Sequence, residues 1–167
     1  GNLKQKYYKA LGTVSRIDYN GYSYRNVKID GSFDNGLLNG ELNVDDPHLM
    51  AHINGMLNTN KQNTAAHLKA EIQHFNPSAL KLLEKQLGNA TYSGNIVASF
   101  TGNSLNCAMG DLAVTQLKKT SSQGEYALDT LMLKAGNDRN GHYLTLQSDF
   151  AHAQVSGRFD YKTLVQS

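Results

Sequence analysis

Tryptophan is absent from the chain, cysteine occurs once and proline twice. The lone Cys107 excludes an internal disulfide framework and a cysteine-built zinc site. It fits a reducing compartment as well as a bacterial envelope protein that uses no disulfides. No apolar run approaches the ~18 residues of a membrane helix, and no secretory signal opens the sequence. Charge is sparse. Only 18% of residues are charged and the formal net charge is +2, so no basic stripe of the nucleic-acid-binding kind is present. Lys4, Lys6 and Lys9 cluster beside Tyr7 and Tyr8, and residues 1–9 read as a solvated arm.

What is present is apolar alternation and turn chemistry. At 40% hydrophobic the chain is too apolar to be disordered, and 167 residues suffice for one domain, expected over 10–167. Fifteen glycines and many asparagines favour positive φ and therefore hairpins. Val27, Ile29 and Phe33 share one parity, as do Leu38, Leu42 and Val44, then Leu49, Ala51, Ile53 and Leu57. The period of two continues through Leu68, Ala70 and Ile72, then Tyr92, Ile96, Ala98 and Phe100. It resumes at Leu112 and Val114, and ends with Leu144, Leu146 and Phe150, then Val155 and Phe159. Tyr126 and Leu128 lie on the opposite parity from Leu131 and Leu133, which predicts a bulge near Asp129 and Thr130.

Asn20-Gly21, Asn35-Gly36 and Asn140-Gly141 mark hairpin turns, and Asp45-Asp46-Pro47 marks another. One stretch departs from the period of two. "FNPSALKLLEKQLG" offers Asn76 as N-cap, Pro77 at the first helical position and Gly88 as a stop. Ala79, Leu80, Leu83 and Leu87 follow helical spacing, which predicts a short amphipathic helix over 77–87. The apolar face is otherwise modest, and a two-layer sandwich generally buries larger aromatics. The expected fold is all-β: one antiparallel sheet of about nine or more strands, curled into a trough or half-barrel.

Catalytic and metal-binding patterns do not emerge. His48 and His52, on a strand, would stand ~13 Å apart at ~3.3 Å per residue, too far to share an ion. His67, His74, His142 and His152 have no cysteine or carboxylate at ligand spacing. "GNSLNCAMGD" lacks the context and the terminal Lys-Ser/Thr of a phosphate loop. Asp45 and Asp46 are explained as turn residues. No enzyme, metal or cofactor is expected. In "DYNGYSYR", Tyr19, Tyr22 and Tyr24 surround a turn. They read as cross-strand pairs or, in an alternative, as the glycan- or protein-binding hairpin of a β-sandwich module.

The order of elements carries a resemblance. "VKIDGSF" is followed by "NGLLNGELNVDDP" and "LMAHINGML", then by "HLKAEIQHFNPSALKLL". Later "YSGNIVASFTGNSLN" and "YLTLQSDFAHAQVSGRFDY" restate the theme of a strand carrying serine and glycine. Over residues 10–164 this resembles the TamB family of translocation and assembly module subunits, in its Bacteroidetes-type branch, and more broadly the AsmA-like envelope proteins. The resemblance implies a periplasmic segment of an inner-membrane-anchored protein whose long sheet forms an apolar trough, the β-taco. It implies a non-enzymatic part in phospholipid transport and outer-membrane protein assembly, with acyl chains in the groove and an outer-membrane partner contacted elsewhere in the parent. Gly1 and the abrupt end after "FDYKTLVQS" lead to the expectation of an internal piece, whose cut edges would pair with another copy.

An acyl groove needs only apolar lining and shape, each buried methylene contributing ~0.8 kcal/mol. The expected lining is Val27, Ile29, Phe33, Leu42, Val44, Ile53, Leu68, Ile72, Ile96, Phe100, Leu144, Leu146 and Phe159. Leu80, Leu83 and Leu87 would press the helix onto that face, either plugging or capping the groove. Gly31 and Gly40 share parity with their apolar neighbours, so both should lie inside, close together, where missing side chains permit a bend.

Overall fold

A computed structural model describes residues 7–60, 64–82, 89–102, 109–139 and 141–157. Among these residues ten strands follow one another as an antiparallel meander in one sheet, each paired with its neighbours in sequence. They are β1 (Tyr7–Tyr19), β2 (Tyr22–Asp34), β3 (Leu37–Asp46), β4 (Leu49–Asn58) and β5 (Ala65–Phe75), then β6 (Thr91–Thr101), β7 (Met109–Ser121), β8 (Gly124–Asp138), β9 (Gly141–Ser148) and β10 (His152–Gly157). At the β1–β2 turn Asn20 and Gly21 have φ of 50° and 75°, and at β2–β3 Asn35 and Gly36 have 48° and 89°. Positive φ at both central residues twists the turn with the strands, which is why Asn-Gly sits there.

Period-two alternation and this register stack the apolar residues into rows that cross the sheet. One row runs Ala10, Gly31, Gly40, Gly55, Leu68, Ala98, Leu112, Leu133, Leu146 and Ala153, one residue from each strand. At ~4.8 Å between strands it extends about 43 Å. Its partner rows on the same face are equally apolar. The opposite face carries Lys28, Asp30, Glu41, His52, Lys69 and Glu71.

The sheet is open: β1 and β10 are its edges, and it is neither closed nor strongly curled. The expected trough or half-barrel is corrected to an open sheet. Gly31 and Gly40 are indeed directly paired. What they permit is a close local approach of two backbones, not a bend carried around ten strands. A Cβ on Gly40 would stand 2.6 Å from the Asp30 carbonyl oxygen and 2.8 Å from the Gly31 Cα.

Three further expectations change. Residues 7–9 belong to β1 and not to a free arm; the small residues Ala10 and Gly12 hide that strand's alternation. Phe150 lies outside the strands, 83% exposed, in a turn closed by a 2.8 Å bond from the Ser148 N–H to the Ala151 carbonyl. Among the described residues there is no helix. Residues 76–82 form a single capped turn: Asn76 Oδ1 accepts from the Ala79 N–H at 3.0 Å, as an N-cap does. Lys81 then enters the left-handed region at φ 58°. The Leu82 N–H reaches the Pro77 carbonyl and the Lys81 N–H the Ser78 carbonyl, the paired bonds of a Schellman stop. Tertiary bonds hold Lys81 there, its Nζ donating to the Gly21 carbonyl at 2.6 Å while Asn20 Nδ2 donates to the Lys81 carbonyl at 2.9 Å. Leu83, Leu87 and Gly88 lie outside the described residues.

The bulge expected near Asp129 and Thr130 is corrected: Thr115–Thr130 and Leu117–Leu128 keep one register, and the register shifts lie in the neighbouring strand pairs. Register shifts fall between Met50 and Ala51, between Ile72 and Phe75, and between Ser93 and Asn95. Gln116 on β7, with φ 54°, lies between the Thr115–Thr130 and Leu117–Leu128 pairs. The N–H groups of Asp129 and Thr130 both donate to Asp149 Oδ2, at 2.7 and 3.2 Å. A line of irregularities thus crosses the sheet from β4 to β7.

Candidate functional site

Twelve of the thirteen expected lining residues fall on the one apolar face, in four adjacent rows. Val27, Val44 and Ile72 belong to one row, and Ile29, Leu42, Ile53 and Ile96 to the next. Leu68 and Leu146 continue the glycine row, while Phe33, Phe100 and Leu144 occupy the fourth. Phe159 lies outside the described residues. Sequence parity alone located this face, because adjacent hairpins keep opposed residues on the same side of a sheet.

The face is not a sealed core. Leu38 is 46% exposed and Phe100 37%, and the largest apolar side chains along β3 to β6 are half open to solvent. Over the glycine row lies an open groove of about 460 Å³, flanked by Ile29, Leu42 and Ile53 on one side and Leu38, Leu57 and Phe100 on the other.

One end of the face is covered. Val27, Val44 and Ala51 are buried, as an uncovered sheet face would not leave them, and Leu80 is 0% exposed. The 76–82 turn runs past these residues, tied to the Asn20–Gly21 turn through Lys81 and to the β3–β4 turn by the Asn76 N–H on the His48 carbonyl at 2.9 Å. It lies at the end of the sheet nearest the β1–β2 and β3–β4 turns. Asn76→Ala removes the cap and the bond from Asn76 Nδ2 to Asn89. It should lower unfolding free energy by about 1–2 kcal/mol, measured in urea, and increase binding of an apolar dye. An unchanged variant would show that the turn is not held by its cap.

The residue that sequence reasoning passed over is Asp46. Read as a turn former, it is instead 2% exposed and accepts three hydrogen bonds. Tyr22 Oη donates at 2.6 Å, the Arg25 N–H at 3.0 Å and the His48 N–H at 2.9 Å. Burial pushes the Asp46 carboxyl up, but the three donors outweigh it and hold it below its ordinary value. Burial first, and then the bond to Asp46, push the Tyr22 hydroxyl up to about 12. The only signal for this in the sequence is a second acid directly before Pro47, which a turn needs no more than once.

The same bond occupies Tyr22, which pairs across the hairpin with Tyr19 and belongs to the alternative binding hairpin. Tyr22 packs edge-on against Tyr24 with ring centroids 5.0 Å apart, while Tyr19 is 66% exposed. His52 bonds to Asn43 Oδ1 at 2.6 Å and lies 3.7 Å from Glu41, as surface histidines do. Among the described residues no group of three or more His, Cys, Asp or Glu side chains is placed to hold a metal.

Fold and face together define a single-layer antiparallel β sheet with one apolar surface and one polar surface. Comparison with protein-family models, with curated proteins and with solved structures finds no match.

Proposed function

We propose that this sheet is a non-enzymatic apolar surface for phospholipid acyl chains, a TamB-like or AsmA-like segment working in the periplasm as conduit or assembly scaffold. The observation that carries the reading is the apolar face itself: beyond the covered Val27–Val44–Ala51 row, three rows of side chains include Leu38, Leu57, Leu68 and Phe100 left open to solvent. Hydrocarbon gains from such a surface without directional contacts, ~0.8 kcal/mol per methylene covered. In this reading the 76–82 turn is a cap at one end of the groove, and lipid leaves the groove sideways, past the edge of the sheet. Among the described residues β1 and β10 are the sheet's edges, and such edges accept further strands, from a longer sheet or a second copy. The hairpin alternative has less behind it, since Tyr22 is committed to Asp46 and the strands form one layer.

Organic extraction of gently purified protein, followed by lipid mass spectrometry, tests the proposal. Phospholipid should be recovered well above the amount from a control β protein of similar size. Recovery equal to the control overturns it.

A further inference from the structure

Gly31, Gly40 and Gly55 are consecutive members of one row on β2, β3 and β4. Three adjacent strands therefore carry no side chain at the same level, leaving a slot about 14 Å long at ~4.8 Å per strand. Its walls are Ile29, Leu42 and Ile53 along one side and Leu38 and Leu57 along the other. The slot has two different ends. On β5 the next position is Leu68, whose Cδ1 would lie 3.2 Å from a Cβ on Gly55, so this side chain leans over the end of the row. On β1 the next position is Ala10, small and exposed at the sheet edge.

We infer that this glycine slot is a discrete subsite for one hydrocarbon chain, lying across the strands, entering over Ala10 and stopped by Leu68. The inference rests on the acyl-chain reading above and gives it a place and a direction. The occupant follows from what the floor offers. β2, β3 and β4 are paired on both sides, so their backbone groups are spent within the sheet. A peptide or a sugar laid in the slot would bury polar groups without partners, which is unfavourable. An alkyl chain has none to bury. A slot one residue row wide also takes one chain and not two.

A fatty acid carrying a mid-chain diazirine, photolysed with the whole protein and mapped by peptide mass spectrometry, tests this directly. Label should fall on Leu38, Leu42, Ile53 and Leu57. Ala10→Trp, which blocks the mouth at an open edge position, and Gly31→Leu, which fills the slot, should each reduce that label about tenfold by excluding two or more methylenes. Circular dichroism confirms that the variants remain folded; Ala10→Trp alone decides the matter if Gly31→Leu does not fold. Label on Leu112, Leu133 and Leu146, unchanged in Ala10→Trp, overturns the slot and leaves the acyl-chain surface standing. No label above that on a control β protein overturns both.

Discussion

Asp46→Ala should unfold about 2 M earlier in urea than the parent chain, a loss of about 3–5 kcal/mol at an ordinary m-value. The magnitude comes from what is left behind. The Arg25 and His48 N–H groups and the Tyr22 hydroxyl all point at the carboxylate, within 2.6 to 3.0 Å. Removing the acceptor strands two backbone donors in a part-buried site, at about 1–3 kcal/mol each. Tyr22→Phe should lose much less, about 1 kcal/mol, because Asp46 keeps both backbone donors.

The pH dependence separates the two partners. Asp46 has a depressed folded pKa, so its contribution is complete above the ordinary carboxylate value of ~3.9. It fades as pH falls through the lower folded value. Tyr22 is raised to about 12, so its contribution is complete below ~10 and disappears as pH rises through 12. Stability measured against pH should therefore show an acid limb that Asp46→Asn flattens and an alkaline limb that Tyr22→Phe flattens. If Asp46→Ala unfolds at the parent urea midpoint, the carboxylate is not the anchor between β2 and the β3–β4 turn.

Gly40→Ala should destabilise by about 3 kcal/mol, although alanine normally improves a strand position by about 0.5–1 kcal/mol. The added methyl would meet backbone on the paired strand, not a side chain able to rotate away. Its nearest neighbours would be the Asp30 carbonyl oxygen at 2.6 Å and the Gly31 Cα at 2.8 Å. Relief requires β2 and β3 to move apart along a ladder of hydrogen bonds. Gly12 on β1 is the control, since a Cβ there meets nothing within 4 Å. Gly12→Ala should gain about 0.5 kcal/mol. Chemical denaturation of the pair gives opposite signs if close approach is the reason for glycine at position 40. Equal stability of Gly40→Ala and the parent removes that reason.

The sequence by itself determined the sheet, its turns and its two faces. Asn-Gly pairs set the hairpins, and once hairpins fix register, a period of two assigns every apolar residue to one side. That is why Val27, Leu42, Ile53, Leu68 and Ile96 could be placed on a common face, and Gly31 opposite Gly40, before any coordinates. Local chemistry also put the cap at Asn76. Tertiary structure decided the rest. The capped turn at 76–82 is held at Lys81 by Asn20 and Gly21, about 60 residues away in the chain. Asp46 became an anchor because Tyr22 on a neighbouring strand reaches it. The sheet stays open because curvature accumulates from the approach of many strand pairs, a sum over the whole meander that no two glycines state. Parity is a property of one strand; curvature, burial and partnership belong to several at once.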